Sequence, residues 1–388
     1  MNSKPVILKI QEKVSDEFTS FLEEELKERD EQYINEYPVV YIHNYRQKDG
    51  KNVVYVGESN DVVSRTKNHY NDRKDPSSWQ NKMLVDGRDL QMYIVGHEHF
   101  NKSLTLDIEN RLIHYMSSMD NVDNVNGRSN AQKKYYPADE FDRIFSDIWK
   151  KLRKIDKNLF LSEAIIRDSA IFKASPLHKL TIQQYQAKEF ILQRIDETVE
   201  KNLDSQLIFV EGEAGTGKTV LTSSTFYEIM ERNEDQNLRK LKCCLLVNHD
   251  EQITVYEELA RKLNLKNADG SEVVSKPTHF INTHSPENKV DVAFVDEAHL
   301  LLTQGKQSYN GKNQLEDIIK RARITVIMFD ENQILTTEEF WEADRLLEIR
   351  RRSKEQENYF RLTNQLRMIA NKDTMDWING ITIDGKIG

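Results

Sequence analysis

An α/β chain is predicted: a small α/β domain, a helical connector and a larger lobe built on a parallel sheet. Three observations predict it. The apolar runs Leu207-Ile208-Phe209-Val210, Val292-Ala293-Phe294-Val295 and residues 324–329 read as strands buried on both faces. Each run ends in glycine or acidic residues, as strands of a parallel sheet do where they meet a ligand. Upstream, Val39-Val40-Tyr41-Ile42 and Val53-Val54-Tyr55-Val56-Gly57 flank the turn signal Lys48-Asp49-Gly50 and read as a hairpin.

Composition fits this layout. A chain of 388 residues accommodates two to three domains. Hydrophobic residues at 38% and charged residues at 31% describe a polar, globular protein. No apolar run reaches the roughly 18 residues that span a bilayer, and the N-terminus lacks a signal-peptide core, so no membrane partner is expected. Cys243 and Cys244 are adjacent on a predicted strand and point to opposite faces. They read as core residues in a reducing cytoplasm. The net charge of −9 argues against wholesale coating by nucleic acid, although patches matter more than totals.

Residues 1–36 are predicted to hold an acidic amphipathic helix around Glu23-Glu24-Glu25, with Phe18, Phe21, Leu22 and Leu26 on one stripe. Residues 37–130 form the small α/β domain. Residues 131–177 form a helical connector, with Ile144, Phe145, Ile148, Trp149 and Leu152 at helical spacing. Residues 178–388 form the larger lobe.

In residues 37–130, the hairpin loop decides what the two tyrosines do. A two-residue Asp-Gly loop sends Tyr41 and Tyr55 to opposite faces. A three-residue loop with Gly50 left-handed puts both on one face, nearly opposite each other. After Gly57, Ser59-Asn60-Asp61 is able to cap a helix on which Arg65 and His69 are four apart and share a face. Residues 104–119 read as a second helix, with Glu109 on the stripe of Leu112, Ile113 and Met116. A carboxylate there is costly unless it is paired or bound to a metal.

Val39-Val40-Tyr41, Tyr55-Val56-Gly57, Arg65, His69, Glu109 and an asparagine near Asn126 together resemble the GIY-YIG nuclease pattern. Two valines replace the glycine and isoleucine of the first triplet and leave Tyr41 in place. The resemblance implies that Glu109 ligates one divalent cation, Mg²⁺ or Mn²⁺. It implies that Arg65 binds the scissile phosphate. Tyr41 becomes the general base, its phenol acidified by Arg65 and metal-bound water, with Tyr55 and His69 assisting. Asn124, Asn126 and Asn130 all lie within reach of the family's asparagine, and Asn126 is preferred because it follows the strand-like residues 122–125. The implied chemistry is hydrolysis of a phosphodiester, in DNA ahead of RNA.

In the larger lobe, Gly212-Glu213-Ala214-Gly215-Thr216-Gly217-Lys218-Thr219 fits the phosphate-loop pattern G-x-x-x-x-G-K-[ST] between a strand and a helix. Gly212, Gly215 and Gly217 let backbone amides wrap phosphates, and the helix N-terminus adds its dipole. Lys218 reaches the β/γ-phosphates and Thr219 binds Mg²⁺. The second strand ends in Asp296-Glu297-Ala298-His299, where Asp296 is expected to hold Mg²⁺ and Glu297 to orient the attacking water. The third ends in Asp330-Glu331-Asn332-Gln333, where Gln333 looks like a γ-phosphate sensor.

Leu180-Thr181-x-x-Gln184, the phosphate loop, Asp296-Glu297-Ala298-His299, Gln333 and Leu362-x-x-Gln365-x-Arg367 occur in the order used by superfamily 1 helicases. The form Gln365-Leu366-Arg367 is similar to bacterial Schlafen-type DNA/RNA helicase domains. The resemblance implies a RecA-like ATPase lobe in which Gln184 reads the adenine edge and Arg367 contacts the γ-phosphate. Such motors use two lobes, and a second does not fit after Arg367. The sequence is then a fragment, or its ATPase is not a processive motor.

Other features carry less. His97-Glu98-His99 offers adjacent ligands that seldom converge on one ion. Trp79 and Trp149 are able to stack on bases but fit core packing better. Residues 303–313 read as a polar loop or insert. The basic runs Lys150-Lys151-Leu152-Arg153-Lys154 and Arg350-Arg351-Arg352 are solvated helix faces or contacts to a nucleic-acid backbone.

The expectation is an ATP-dependent or ATP-gated nucleic-acid endonuclease with ATP and Mg²⁺ as cofactors. The alternatives are a nucleotide-switched regulatory or defence protein whose first domain only binds nucleic acid, or a helicase-type ATPase without nuclease activity. A homo-oligomer would let Arg367 act on a neighbouring subunit's nucleotide.

Overall fold

The computed structural model describes residues 4–11, 18–29, 32–71, 88–126, 138–233, 238–303, 309, 311–333 and 343–363. The chain forms two compact units, Met1–Leu177 with Arg261–Asn264, and His178–Ala260 with Leu265–Gly388.

The first unit is a five-stranded sheet in the order β1-β4-β2-β3-β5. Its strands are β1 (Val6–Gln11), β2 (Val39–Arg46), β3 (Asn52–Ser59), β4 (Arg88–Gly96) and β5 (Val122–Val125). Its helices are α1 (Phe18–Arg29), α2 (Gln32–Asn35), α3 (Val62–Asn71), α4 (Lys102–Ser117), α5 (Phe141–Ile155), α6 (Glu163–Asp168) and α7 (Ala170–Ala174). β5 runs parallel to β3 and the other pairs are antiparallel. Strand alternation separates two cores. Val40, Ile42, Val54, Val56, Tyr93 and Val95 pack with Leu112 of α4 and Trp149 of α5. Tyr41, Tyr45, Val53, Met92 and Ile94 pack with Phe18, Leu22 and Leu26 of α1. Both faces of β2 are therefore covered, which explains its unbroken burial from Val39 to Tyr45.

Two segments differ from the sequence reading. Residues 1–36 hold more than an acidic helix: β1 precedes α1 and joins the sheet edge against β4, with Ile10 opposite Met92. β1 alternates Ile7 into one core with Leu8 and Ile10 into the other, a pattern too short to stand out. In residues 131–177, α5 covers the sheet as a layer of the core. Its stripe of Ile144, Phe145, Ile148, Trp149 and Leu152 is buried, and the Trp149 indole donates to Leu161 O at 3.0 Å.

The second unit is a six-stranded sheet in the order β11-β6-β10-β9-β7-β8, with every pair parallel. Its strands are β6 (Gln206–Gly212), β7 (Cys243–Val247), β8 (Val274–Ser275), β9 (Val290–Asp296), β10 (Ala322–Phe329) and β11 (Tyr359–Leu362). Its helices are α8 (Ile182–Glu200), α9 (Lys218–Arg232), α10 (Asp250–Lys262), α11 (Pro277–Thr283), α12 (Gln314–Ile319) and α13 (Ala343–Glu355). The predicted α/β class with a parallel sheet is the observed one. β10 lies between β6 and β9, so the carboxyl ends of all three strands meet at one edge. Cys243 and Cys244 are buried free thiols of β7, both pushed up by burial, Cys244 to about 11. Among the described residues no helix is long and apolar enough to cross a membrane.

Candidate nucleotide site and candidate nuclease site

In the second unit, β6 delivers the phosphate loop directly into α9. Gly215 and Gly217 have φ of 84° and 81°, which a side chain would strain. A Cβ on Gly212 would lie 2.7 Å from Thr216 Oγ1 and 3.0 Å from Leu362 Cβ, so the loop is closed tightly over its own start. The turn of amides that results is the shape a polyphosphate fits. Lys218 is 5% exposed; its Nζ donates to Gly212 O at 2.8 Å, Glu213 O at 3.1 Å and Asp330 Oδ2 at 3.1 Å.

Asp296 ends β9 at 1% exposure. Its Oδ2 accepts from Tyr256 at 2.7 Å and Gln252 at 2.8 Å, and its Oδ1 from the Glu297 amide at 3.1 Å and Thr222 at 3.4 Å. Burial lifts this carboxyl above its ordinary range, and the donors and Lys218 oppose that without overcoming it. Thr219 lies on the first turn of α9, and its carbonyl accepts from Tyr256 at 3.5 Å. Thr219 and Asp296 are hard oxygen donors of the kind Mg²⁺ takes beside phosphate. Glu297 stands in the left-handed region with φ 50° and ψ 49°, and its Oε2 is 3.5 Å from His299 Nε2. Burial lowers His299 to about 4, so that contact joins a neutral ring to the carboxylate.

Gln184, expected to read an adenine, spends its amide on the protein: Oε1 accepts from Thr181 N at 2.9 Å and Oγ1 at 3.2 Å, while Nε2 points to Thr216 O and Gly217 O at 3.4 Å. It closes a capping box on α8 and braces the loop. Asp330, not Gln333, is the β10 residue that touches the loop lysine, because the strand ends at Phe329 and Gln333 lies a 3₁₀ turn further on. The Arg350-Arg351-Arg352 run is largely tied internally: Arg350 pairs with Glu211 and Glu331, and Arg352 donates to Ser205 O at 3.0 Å. Burial works to raise Glu211, but Arg350 and Tyr359 outweigh it and hold the carboxyl low. Gln365 and Arg367 lie outside the described residues. Tyr256 and Gln252 were missed, although their spacing of four on α10 marks a shared face.

In the first unit, Gly50 has φ 90°, Gln47 N donates to Lys51 O at 2.8 Å, and Arg46 pairs with Asn52. This is the three-residue alternative. It sets Tyr41 opposite Gly57 and His43 opposite Tyr55, so all four share one face and the tyrosines are diagonal. Their rings lie 6.3 Å apart at 26°. A Cβ on Gly57 would come within 2.4 Å of the Tyr41 hydroxyl, which is why glycine follows Tyr55-Val56. Tyr41 Oη is 2.9 Å from His69 Nε2, and the Tyr55 and His69 rings are 5.0 Å apart. Arg65 bonds to the Tyr41 and Tyr55 phenols, which raise its pKa. Glu109 is 1% exposed and its charge reaches Tyr41.

Tyr41 is corrected in one respect. Burial and Tyr55 push its phenol up, and Arg65 opposes that without reversing it, so these protein groups alone do not acidify the hydroxyl. His43, buried between Tyr41 and Tyr55 with ring distances of 5.4 and 6.4 Å, was missed; its place two residues after Tyr41 on an alternating strand was the available signal. Asn126 donates to Val56 O and accepts from Val56 N, both at 2.7 Å, and so extends the β5–β3 pairing. Asn124 lies on β5, and Asn130 and Trp79 lie outside the described residues. His97 Nδ1 accepts from the His99 amide at 3.1 Å, a turn contact. In the polar segment 303–313, Tyr309 is buried and donates to Asp317 Oδ2 at 2.7 Å, and Asn313 caps α12.

The second unit is thus a phosphate-loop α/β domain. Residues 205–388 match the family described as Schlafen group 3, DNA/RNA helicase domain, so this part of the chain is helicase-like. That match does not extend to residues 37–130. Over 198 residues the chain is 28% identical to an uncharacterized protein of Saccharomyces cerevisiae, a stretch taking in 47% of this chain and 42% of that protein. The chain therefore matches less than half the length of that relative. Among solved structures, domain III of the Thermotoga maritima replication initiation protein DnaA covers 55% of this chain and 76% of its own, at 15% identity and a TM-score of 0.27. AMPPCP-bound DnaA from Aquifex aeolicus covers 53% and 59%, at 13% identity and a TM-score of 0.25.

Proposed function

We propose that this protein is an ATP-dependent or ATP-gated endonuclease, a hydrolase in both units, acting on DNA ahead of RNA. The observation that carries the nuclease half is the Tyr41–His69 hydrogen bond on a sheet face shared with Tyr55, bordered by Arg65 and within the field of Glu109. Arg65 binds the scissile phosphate and stabilises its developing charge. Glu109 would hold a divalent cation, which would supply Lewis-acid polarisation when bound. Because its own proton is tightly held, Tyr41 serves as a relay: it passes its proton to His69 Nε2 and takes one from the attacking water. Tyr55 orients Arg65.

In the second unit, the loop amides and Lys218 bind the polyphosphate of ATP, and Thr219 and Asp296 would hold its Mg²⁺. Glu297, set apart by its left-handed backbone, orients water for hydrolysis. Gln333 senses the γ-phosphate and Arg367 contacts it. Gln184 holds the loop in register.

The test is cleavage of DNA and RNA with Mg²⁺ or Mn²⁺, in the presence of ATP, a non-hydrolysable analogue or no nucleotide. Glu109→Ala is expected to abolish cleavage and spare ATP turnover, and Lys218→Ala to abolish ATP turnover. Cleavage that survives Glu109→Ala overturns the nuclease reading. ATP turnover that survives Lys218→Ala overturns the ATPase reading.

A further inference from the structure

Beside Arg65 lies an open pocket of about 500 Å³ whose described lining residues are all polar, among them Glu58, Asp61, Ser64, Asn68 and Lys102. Arg65 belongs both to this pocket and to the Tyr41–Tyr55 face, so the two are continuous. Glu58 follows Gly57 at the end of β3, and its side chain is only 7% exposed. Its Oε1 pairs with the Lys102 ammonium, while its Oε2 is buried with no hydrogen-bond partner among the described residues. A carboxylate oxygen buried without a donor is unfavourable, and a ligand that brings one removes that cost. Asp61 is already engaged: its Oδ1 accepts from Ser64 N at 3.0 Å and its Oδ2 from Ser64 Oγ at 2.7 Å. Lys102 is 58% exposed, so its ammonium is open to a ligand from solvent.

We propose that this pocket seats the nucleotide next to the scissile phosphate. Lys102 binds its phosphate, and Glu58 Oε2 accepts a hydrogen bond from its sugar or base. The assignment rests on reading the first unit as a nuclease, and it adds two residues that are not part of the Tyr41, Tyr55, Arg65, His69 and Glu109 set. The pocket suits a sugar–phosphate segment because, among the described residues, none that lines it is apolar. Two sources would supply the donor: a ribose 2′-hydroxyl or a base amino group.

The experiment is fluorescence anisotropy of the full chain with labelled oligo-dT, oligo-dA and oligo-rU over a salt series, beside cleavage of the same strands. Lys102→Ala is expected to weaken binding several-fold and to lower the slope of log affinity against log salt by about 0.7, as loss of one phosphate contact on a single strand does. Lys102→Arg restores the slope. An unchanged slope in Lys102→Ala overturns the proposal. For Glu58→Gln, a loss confined to oligo-dA assigns the amino group and a loss confined to oligo-rU assigns the 2′-hydroxyl, and either supports the proposal. No loss, or an equal loss on all three strands, overturns the role of Glu58. If no strand is cut by the unaltered chain while the Lys102 effect is present, the hydrolytic reading fails and the pocket stands.

Discussion

Lys218 Nζ lies 3.1 Å from Asp330 Oδ2, with the two side chains 5% and 1% exposed. The residue that gives the phosphate loop its charge is thus held by a carboxylate at the end of the neighbouring strand. Removing one member of a buried pair leaves the other uncompensated, typically at a cost of about 3–5 kcal/mol. Lys218 also has two carbonyl partners, so Asp330→Ala is expected near the lower limit, about 3 kcal/mol, read from urea unfolding. The double variant Lys218→Met with Asp330→Leu is expected to cost less than Asp330→Ala alone. Equal or greater loss in the double variant refutes the coupling.

Gly57→Ala tests the fit of Tyr41 on the shared face. The new methyl would meet the Tyr41 hydroxyl at 2.4 Å and its ring carbon Cζ at 2.5 Å, and the ring has little room to move because it is fully buried. Overpacking of this kind costs about 1–3 kcal/mol. The expected result is a folded but less stable protein with the Tyr41–His69 contact broken and cleavage lost. Full cleavage in Gly57→Ala separates Tyr41 from the reaction.

The raised phenol of Tyr41 predicts the shape of the pH profile. A general base working as phenolate would make cleavage climb toward pH 10, the ordinary tyrosine value. Because burial raises the folded pKa, the neutral phenol is retained across that range, and kcat/KM should show no tyrosine-dependent rise below pH 10. Tyr41→Phe should abolish activity at every pH. A rising limb that disappears in Tyr41→Phe restores the phenolate mechanism.

His299 predicts a stability change in acid. Its folded pKa of about 4 lies below the ordinary 6.5 because burial penalises the imidazolium. The unfolded chain therefore binds the extra proton first, and stability is lost as pH falls from 6.5 toward 4. Each unit of separation corresponds to about 1.4 kcal/mol, so the loss is a few kcal/mol at most. His299→Gln should flatten the urea midpoint against pH in that window. An unchanged slope means that His299 titrates alike in both states.

Asn126→Ala removes both hydrogen bonds to the Val56 backbone. With those groups part-buried, the expected loss is about 1–3 kcal/mol by thermal or urea unfolding. Asn126→Asp should be worse than Asn126→Gln only if the donated bond to Val56 O matters.

Much of the parallel sheet was legible because its signals are local. Continuous apolar runs mark strands buried on both faces, and the glycine pattern 212–217 marks a loop whose φ angles suit glycine. Lys218, Asp296, Tyr41 and His69, each with a polar partner in the fold, stand out in the sequence by motif and spacing. The hairpin left two loops open, and only the observed register, with Gly57 opposite Tyr41, decided between them.

What the sequence determined by itself was the class of each element and the kinds of side chain placed at strand ends, since both follow from periodicities of a few residues. The tertiary structure alone decided which distant groups face one another. It brought Asp330 to Lys218, Tyr256 to Asp296 and His43 between the two tyrosines, and it made β1 and α5 part of one core. It also pushes the Tyr41 phenol up. That depends on how deeply the surrounding layers bury the phenol, a sum over contacts remote in the chain that no local pattern encodes.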